Sequence, residues 1–202
     1  MKRNLENFKI YLIDINGEMC DAWSKTILKY EDELYDLPIE IYEGSFYSFA
    51  TRYNPYVDAW VSPANSYGLM DGGYDGALTD YFGKTIQDKI QQKIKDEYFC
   101  EQPVGTSISV FFPEGYLIHT PTMRIPSVIK DYDVVYHCTR SCLIEALRLE
   151  CNSILIPAFG AGTGKVPCDV VAENMIKAII QLKDINKDTA WKYARWQHPL
   201  SK

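Results

Sequence analysis

The sequence predicts an α/β domain in three layers, with helices on both faces of a mixed, largely parallel central sheet. Three observations carry that expectation. Short apolar runs of strand length alternate with longer segments whose apolar residues recur at helical spacing. The short apolar strand Ser153-Ile-Leu-Ile-Pro157 is of the type buried on both faces of a parallel sheet. With 202 residues, 47% of them apolar, the chain can bury one large core, so residues 1–202 are read as a single domain.

The elements follow in order. Phe8-Lys-Ile-Tyr-Leu-Ile13 reads as a strand ending at the turn residues Asp14, Asn16 and Gly17. Asp21 to Tyr30 reads as a helix with Trp23, Ile27 and Tyr30 on one face, and Pro38 opens a second strand, Ile39–Glu43, halted by Gly44-Ser45. Tyr47 to Pro55 is polar and aromatic, a helix or a loop. The run Val57–Val61 is a buried strand that stops at Pro63. From Gly76 the sequence places Leu78, Phe82, Ile86, Ile90 and Ile94 four apart, as one long helix would. Thr106–Phe112 and Tyr116–His119, joined by Pro113-Glu-Gly115, read as a hairpin. A helix from about Asp133 to Leu149, the strand Ser153–Pro157 and a helix near Asp169 to Leu182 complete the core, and Ala190–Trp196 is expected to form a short amphipathic helix.

Composition narrows the function classes. A net charge of -6 and a pI near 5.1 argue against nucleic acid as a bulk electrostatic partner. No apolar run approaches the ~20 residues of a membrane span, and the charged start Met1-Lys-Arg-Asn-Leu-Glu-Asn lacks the apolar centre of a signal peptide. The six cysteines are scattered, so a cytoplasmic protein with reduced, packed thiols is expected. Cys138 and Cys142 lie one helical turn apart, but no second pair or histidine at ligand spacing completes a zinc site. Neither a metal nor a cofactor is expected, and the oligomeric state is left open.

The chemistry concentrates in two loops, residues 63–75 and 158–166. Each follows a short apolar strand and precedes a helix, which puts both where open α/β sheets bind ligands. Glycines let backbone approach a ligand, and a helix N-terminus offers unpaired N–H groups and a partial positive charge. Two such loops facing one another suit a diphosphate, although tight structural turns would look the same locally. Neither is a dinucleotide fingerprint, and Gly160-x-Gly162-x-Gly164-Lys165 fails the P-loop spacing because Val166 follows the lysine.

The central stretch, Ser62-Pro-Ala-Asn65-Ser66 then Gly72-Gly73-Tyr74-Asp75-Gly76-Ala77, resembles the macro domain, a module that binds ADP-ribose. That family's pattern is N-A-A-N-S-x-x-x-x-G-G-G-[VF]-D-x-A. Pro157-Ala158-Phe159-Gly-Ala-Gly162-Thr163-Gly164-Lys-Val-Pro167 resembles its second loop, with glycine and threonine reordered. The likeness covers most of residues 39–182, with an N-terminal strand and helix and a C-terminal extension outside it. A closer likeness is to the fungal-type ADP-ribose 1″-phosphate phosphatases, through Asp14, Asn16, Trp23, Ser62-Pro63-x-Asn65-Ser66-Tyr67-Gly68 and Tyr81-Phe82-Gly83. The resemblance implies a macro-domain fold and ADP-ribose or a related nucleotide as the small-molecule partner. It further implies hydrolysis at the distal ribose, of ADP-ribose 1″-phosphate or an ADP-ribosyl ester; the alternative is a non-catalytic binding or sequestering module.

Residue by residue, the resemblance makes Asp75 the carboxylate that orients water and Asn65 the group that positions the ribose. It places Ala64, Asn65, Ser66, Gly72 and Gly73 against the ligand from the first loop. From the second it places Phe159, Gly160, Ala161, Gly162, Thr163 and Gly164. The family's G-D-[IL] aspartate, which accepts from the adenine amino group, is absent here: the chain has Gly44-Ser45-Phe46. Ser45, or Asp14 from the neighbouring strand end, is expected to serve instead. Asp71 stands where the family has its first glycine. Blander readings run alongside: Asn65 as a self-bonded turn residue, Asp75 as a helix cap or first-turn carboxylate, Phe159 as core. Lys165 reads best as a solvated lysine, Cys168 as a packed thiol, and His119 as a histidine satisfying backbone groups.

Overall fold

The computed structural model describes residue 5, residues 7–53 and residues 57–183. Six strands, β1 (Lys9–Asp14), β2 (Ile39–Glu43), β3 (Ala59–Ser62), β4 (Ile108–Phe112), β5 (Gly115–His119) and β6 (Ser153–Pro157), form one sheet in the order β2-β1-β6-β3-β5-β4. Every neighbouring pair is parallel except the β4–β5 hairpin. The carboxyl ends of five strands therefore share one edge of the sheet, and both glycine loops leave from it.

Helices α1 (Gly17–Lys29), α6 (Asp133–Arg148) and α7 (Cys168–Lys183) cover one face, and α3 (Phe46–Tyr53), α4 (Gly73–Phe82) and α5 (Thr85–Tyr98) cover the other. The short α2 (Glu31–Leu34) links α1 to β2. Strand alternation divides the core in two. Ile10, Leu12, Ile154 and Ile156 point to one helical layer, while Tyr11, Ile13, Leu155 and Trp60 point to the other. Fully buried side chains on both faces of β6 are the reason its sequence shows no polar alternation.

Several boundaries differ from the sequence expectation. The apolar pattern from Leu78 to Ile94 is carried by two helices, not one: Gly83, at φ 92°, caps α4 and breaks the run. Both helices lie on the same face of the sheet, so the four-residue spacing of buried side chains survives the break. The described part of the stretch Tyr47 to Pro55 is helical and belongs to α3, which starts one residue earlier, at Phe46, and residues 54 and 55 lie outside the described residues; α2 carries no signal in the sequence reading. The central strand is Ala59–Ser62 rather than Val57–Val61, which makes Ser62 its last residue. The expected helix at 190–196 lies outside the described residues. Four of the six cysteines are buried, but Cys100 is exposed, against the expectation of packed thiols throughout. Among the described residues no helix is long and apolar enough to cross a membrane, and no group of three or more histidine, cysteine or acidic side chains could hold a metal.

Candidate functional site

The ends of β1, β2, β3 and β6 and their loops enclose a cavity of about 690 Å³, within the range of small-molecule sites. Its wall carries the carboxyls of Asp14, Asp71 and Asp75 and, among the described residues, no lysine, arginine or histidine. An anion in this cavity would have to be held by backbone N–H groups.

Asp14 closes β1. Its Oδ1 accepts the Asn16 N–H at 2.8 Å, and burial raises its pKa while the Asn16 and Ile15 amides pull it back. Gly44 donates its N–H to the Asp14 carbonyl at 2.9 Å, which seats the β2 end beside the β1 end. Ser45 lines the cavity too, but its Oγ accepts the Ser48 N–H at 3.2 Å in the first turn of α3. The nearby carboxyl on the same cavity wall is that of Asp14.

The first loop is built on Asn65. Its Oδ1 accepts from the Tyr67 N–H at 3.1 Å and the Leu69 N–H at 3.4 Å, and its Nδ2 donates to the Leu69 carbonyl at 2.9 Å. The side chain borders the cavity, yet its amide is taken up by its own loop, as in a turn asparagine. Ser66 is turned away: it is 1% exposed, donates its N–H to the Met123 and Arg124 carbonyls and accepts the Gln102 N–H. Ala64 reaches the cavity wall.

Gly72 is the N-cap of α4, with extended backbone (φ -151°) and no side-chain cap, and Gly73 follows at φ 56°. A Cβ at either position would meet no atom within 4 Å, so both face open cavity. The N-terminus of α4 thus points its unpaired N–H groups at this space. Since Gly72 is the cap residue, the cap reading for Asp75 gives way to a first-turn carboxylate. Asp75 lines the cavity on one side, and its carboxyl is hemmed in by protein on the others. Burial pushes its pKa to about 7; the Ser62 hydrogen bond lowers it, and the Asp71 charge adds to the rise. Ser62 Oγ donates to Asp75 Oδ1 at 2.7 Å, which fixes the carboxyl and leaves Oδ2 open.

In the second loop Gly160 (φ 76°), Gly162, Thr163 and Gly164 face the cavity. Gly164 is packed so closely that a Cβ would stand 2.5 Å from the Gly160 carbonyl oxygen. Two expected ligand contacts are corrected. Phe159 is fully buried in the core between sheet and helices, and Ala161 packs against that core, so neither borders the cavity. From Ala158 to Gly162 cavity-facing and core-facing residues alternate, and Gly162, Thr163 and Gly164 then line the cavity in succession.

Lys165 is exposed and outside the lining. Cys168 also lies outside it, and its thiol pKa is raised, first by burial and then by Glu18 and Asp14. His119 is fully buried, with Nδ1 2.7 Å from Gln102 Oε1. Burial lowers its pKa to about 3, and the Asn65 backbone beside it pulls the other way without an Nε2 hydrogen bond of normal geometry. It is therefore a neutral structural group behind the first loop. Residues that the sequence reading missed include Ile13, Ile15, Tyr74 and Met123. The first two could have been found from their place at the end of β1; Met123 comes from a loop with no such signal.

Comparison with known proteins follows the same geometry. Residues 61–175 match the family described as the macro domain. An uncharacterised protein of Aquifex aeolicus is 34% identical over 128 residues, covering 60% of this chain and 72% of that protein. One of Aeropyrum pernix is 30% identical over 124 residues, covering 60% of this chain and 62% of its own length. The Oceanobacillus iheyensis macrodomain with ADP superposes with a TM-score of 0.55 at 24% identity, over 64% of this chain and 71% of that one. At such identity the superposition speaks to the fold, an α/β macro-domain fold. With more than half of its length matched, the chain belongs to the macro domain family.

Proposed function

We propose that this protein binds ADP-ribose or a close derivative in the cavity between its glycine loops and hydrolyses it at the distal ribose. The Asp75 carboxyl carries the reading. It stands at the N-terminus of α4, on the cavity, with one oxygen held by Ser62 and a pKa moved to about 7. A carboxylate so poised can take a proton from water near neutral pH, which an ordinary aspartate does poorly. Gly72, Gly73 and Gly162, where a Cβ would meet open space, supply approach for a diphosphate, and the related Oceanobacillus iheyensis macrodomain was solved with ADP. The substrates that fit are ADP-ribose 1″-phosphate, as in the fungal-type phosphatases the sequence resembles, or an ADP-ribosyl ester.

One observation favours a binder without turnover. The Asn65 amide is engaged within its own loop, so the group expected to position the ribose already has partners at the cavity edge.

Calorimetry with ADP-ribose, adenosine, AMP and NAD tests binding; phosphate release from ADP-ribose 1″-phosphate tests catalysis. ADP-ribose should bind best, and Asp75→Ala should lower turnover about 100-fold or more while product affinity holds. Parental turnover should climb as pH rises through about 7, where Asp75 ionises. Undiminished turnover in a folded Asp75→Ala protein would remove the catalytic assignment. A parent that binds ADP-ribose and turns over no ester leaves the binding module.

A further inference from the structure

The chain that leaves β5 crosses from the first glycine loop to the second, and backbone bonds fix it at its two ends. At the near end Thr122 donates its N–H to the Ala64 carbonyl at 3.1 Å, and the Met123 and Arg124 carbonyls accept the Ser66 N–H at 3.1 and 3.2 Å. At the far end Ile129 donates its N–H to the Gly164 carbonyl at 2.9 Å and packs its side chain close to Gly160 and Gly164. Between these ends residues 125–128 make no backbone–backbone hydrogen bond among the described residues, and Ile125 and Val128 are 52% and 61% exposed. With few backbone bonds and its apolar side chains in solvent, such a strap depends on its ends for its position. Yet Thr122, Met123 and Pro126 line the cavity, so the lie of the strap sets the shape of that wall.

Arg124, exposed and outside the lining, adds a second hold at the near end. Its Nε and Nη2 donate to the two Glu101 carboxylate oxygens at 2.5 and 2.9 Å, and Nη2 also donates to the Tyr67 hydroxyl at 2.5 Å. The Tyr67 hydroxyl donates in turn to Glu101 Oε2 at 2.7 Å, which closes a ring of three side chains. Glu101 stands on a rigid base: its neighbour Gln102 is fully buried, donates its N–H to the Ser66 carbonyl and bonds the His119 ring. We propose that Arg124 is a positioning residue, whose clasp on Glu101 and Tyr67 holds Met123 and Pro126 in place as the cavity wall that meets the bound nucleotide. This rests on the nucleotide reading given above. A lone exposed ion pair contributes little, but a two-bonded guanidinium with a third partner is the kind that does contribute. The coupling is reciprocal: a clasp that favours the closed wall strengthens binding, and bound ligand strengthens the clasp.

Arg124→Gln and Glu101→Gln each break the clasp, but they change the charge near the cavity in opposite senses. Acting by position, both should weaken ADP-ribose about threefold to fivefold in calorimetry. The double variant should then lose no more than either single one, because the same clasp is broken each time. Amide hydrogen exchange across residues 125–130 should quicken in both variants, with melting temperatures within about 3 °C of the parent's. If Arg124 serves only by its charge, Arg124→Gln weakens the anionic ligand and Glu101→Gln tightens it, which overturns the assignment. Unchanged affinity in both folded variants overturns it too, as do additive losses in the double variant or exchange that stays at the parent's rate across the strap. In all of these cases the parent still binds ADP-ribose and the nucleotide reading stands. A parent that binds no ADP-ribose removes both.

Discussion

Replacing Asp75 by asparagine exchanges a hemmed-in carboxyl for a neutral group of the same shape, and Ser62 can still donate to its oxygen. An aspartate with an ordinary pKa of 3.8 is moved to about 7 in the folded protein, about three pH units. At ~1.4 kcal/mol per unit this sets a ceiling of about 4 kcal/mol on what ionised Asp75 costs the fold. Because one side of the carboxyl meets cavity water, screening reduces that to about 1–2 kcal/mol. The sign follows from proton binding. Below pH 4 both folded and unfolded chains hold the proton, and Asp75 contributes nothing. Between pH 4 and 7 the folded protein keeps a proton that the unfolded chain releases, so parental stability falls as pH rises. Above 7 the full cost is present. Asp75→Asn should therefore melt close to the parent at pH 4 and higher by roughly 2–8 °C at pH 8. Thermal melts of both proteins in matched buffers from pH 4 to 9 measure this. A difference in melting temperature that stays flat across that range, or one that favours the parent at pH 8, would refute the buried, proton-retaining carboxyl and with it the case for Asp75 as a base near neutral pH.

Two substitutions probe the phosphate loops. Gly72→Val should abolish ADP-ribose binding and leave the melting temperature nearly unchanged, because the backbone there is extended and a side chain meets only open cavity; a folded variant that binds like the parent would place the ligand elsewhere. Gly73→Val should lose binding as well, but with a lower melting temperature, since φ 56° strains any β-branched residue by about 1–2 kcal/mol. Lys165→Ala should change affinity less than about threefold by calorimetry, because Lys165 is exposed and outside the cavity wall. A loss well above ~1.5 kcal/mol, the scale of a charged hydrogen bond, would show that the lysine holds phosphate after all.

The sequence by itself determined the layered α/β architecture, the hairpin β4–β5, the strand β6 to the residue and the position of the two glycine loops after β3 and β6. It did so because those features are local. Apolar period, turn glycines and strand length are written into consecutive residues, and parallel strands oblige their carboxyl ends to share an edge. What the sequence could not decide was direction. Phe159 and Gly160 are neighbours in one loop, yet one is core and the other cavity wall. Nothing within the loop says which way it is rolled, because that depends on the α6 and α7 side chains packed against it. The Gly83 break divides a continuous apolar repeat, since a left-handed glycine ends a helix while sheet packing preserves the face. The pairing of Ser62 with Asp75 joins residues 13 apart in sequence. Only the seating of α4 over the end of β3 brings that hydroxyl to that carboxyl, hems it in, and turns an ordinary first-turn aspartate into one that titrates near pH 7.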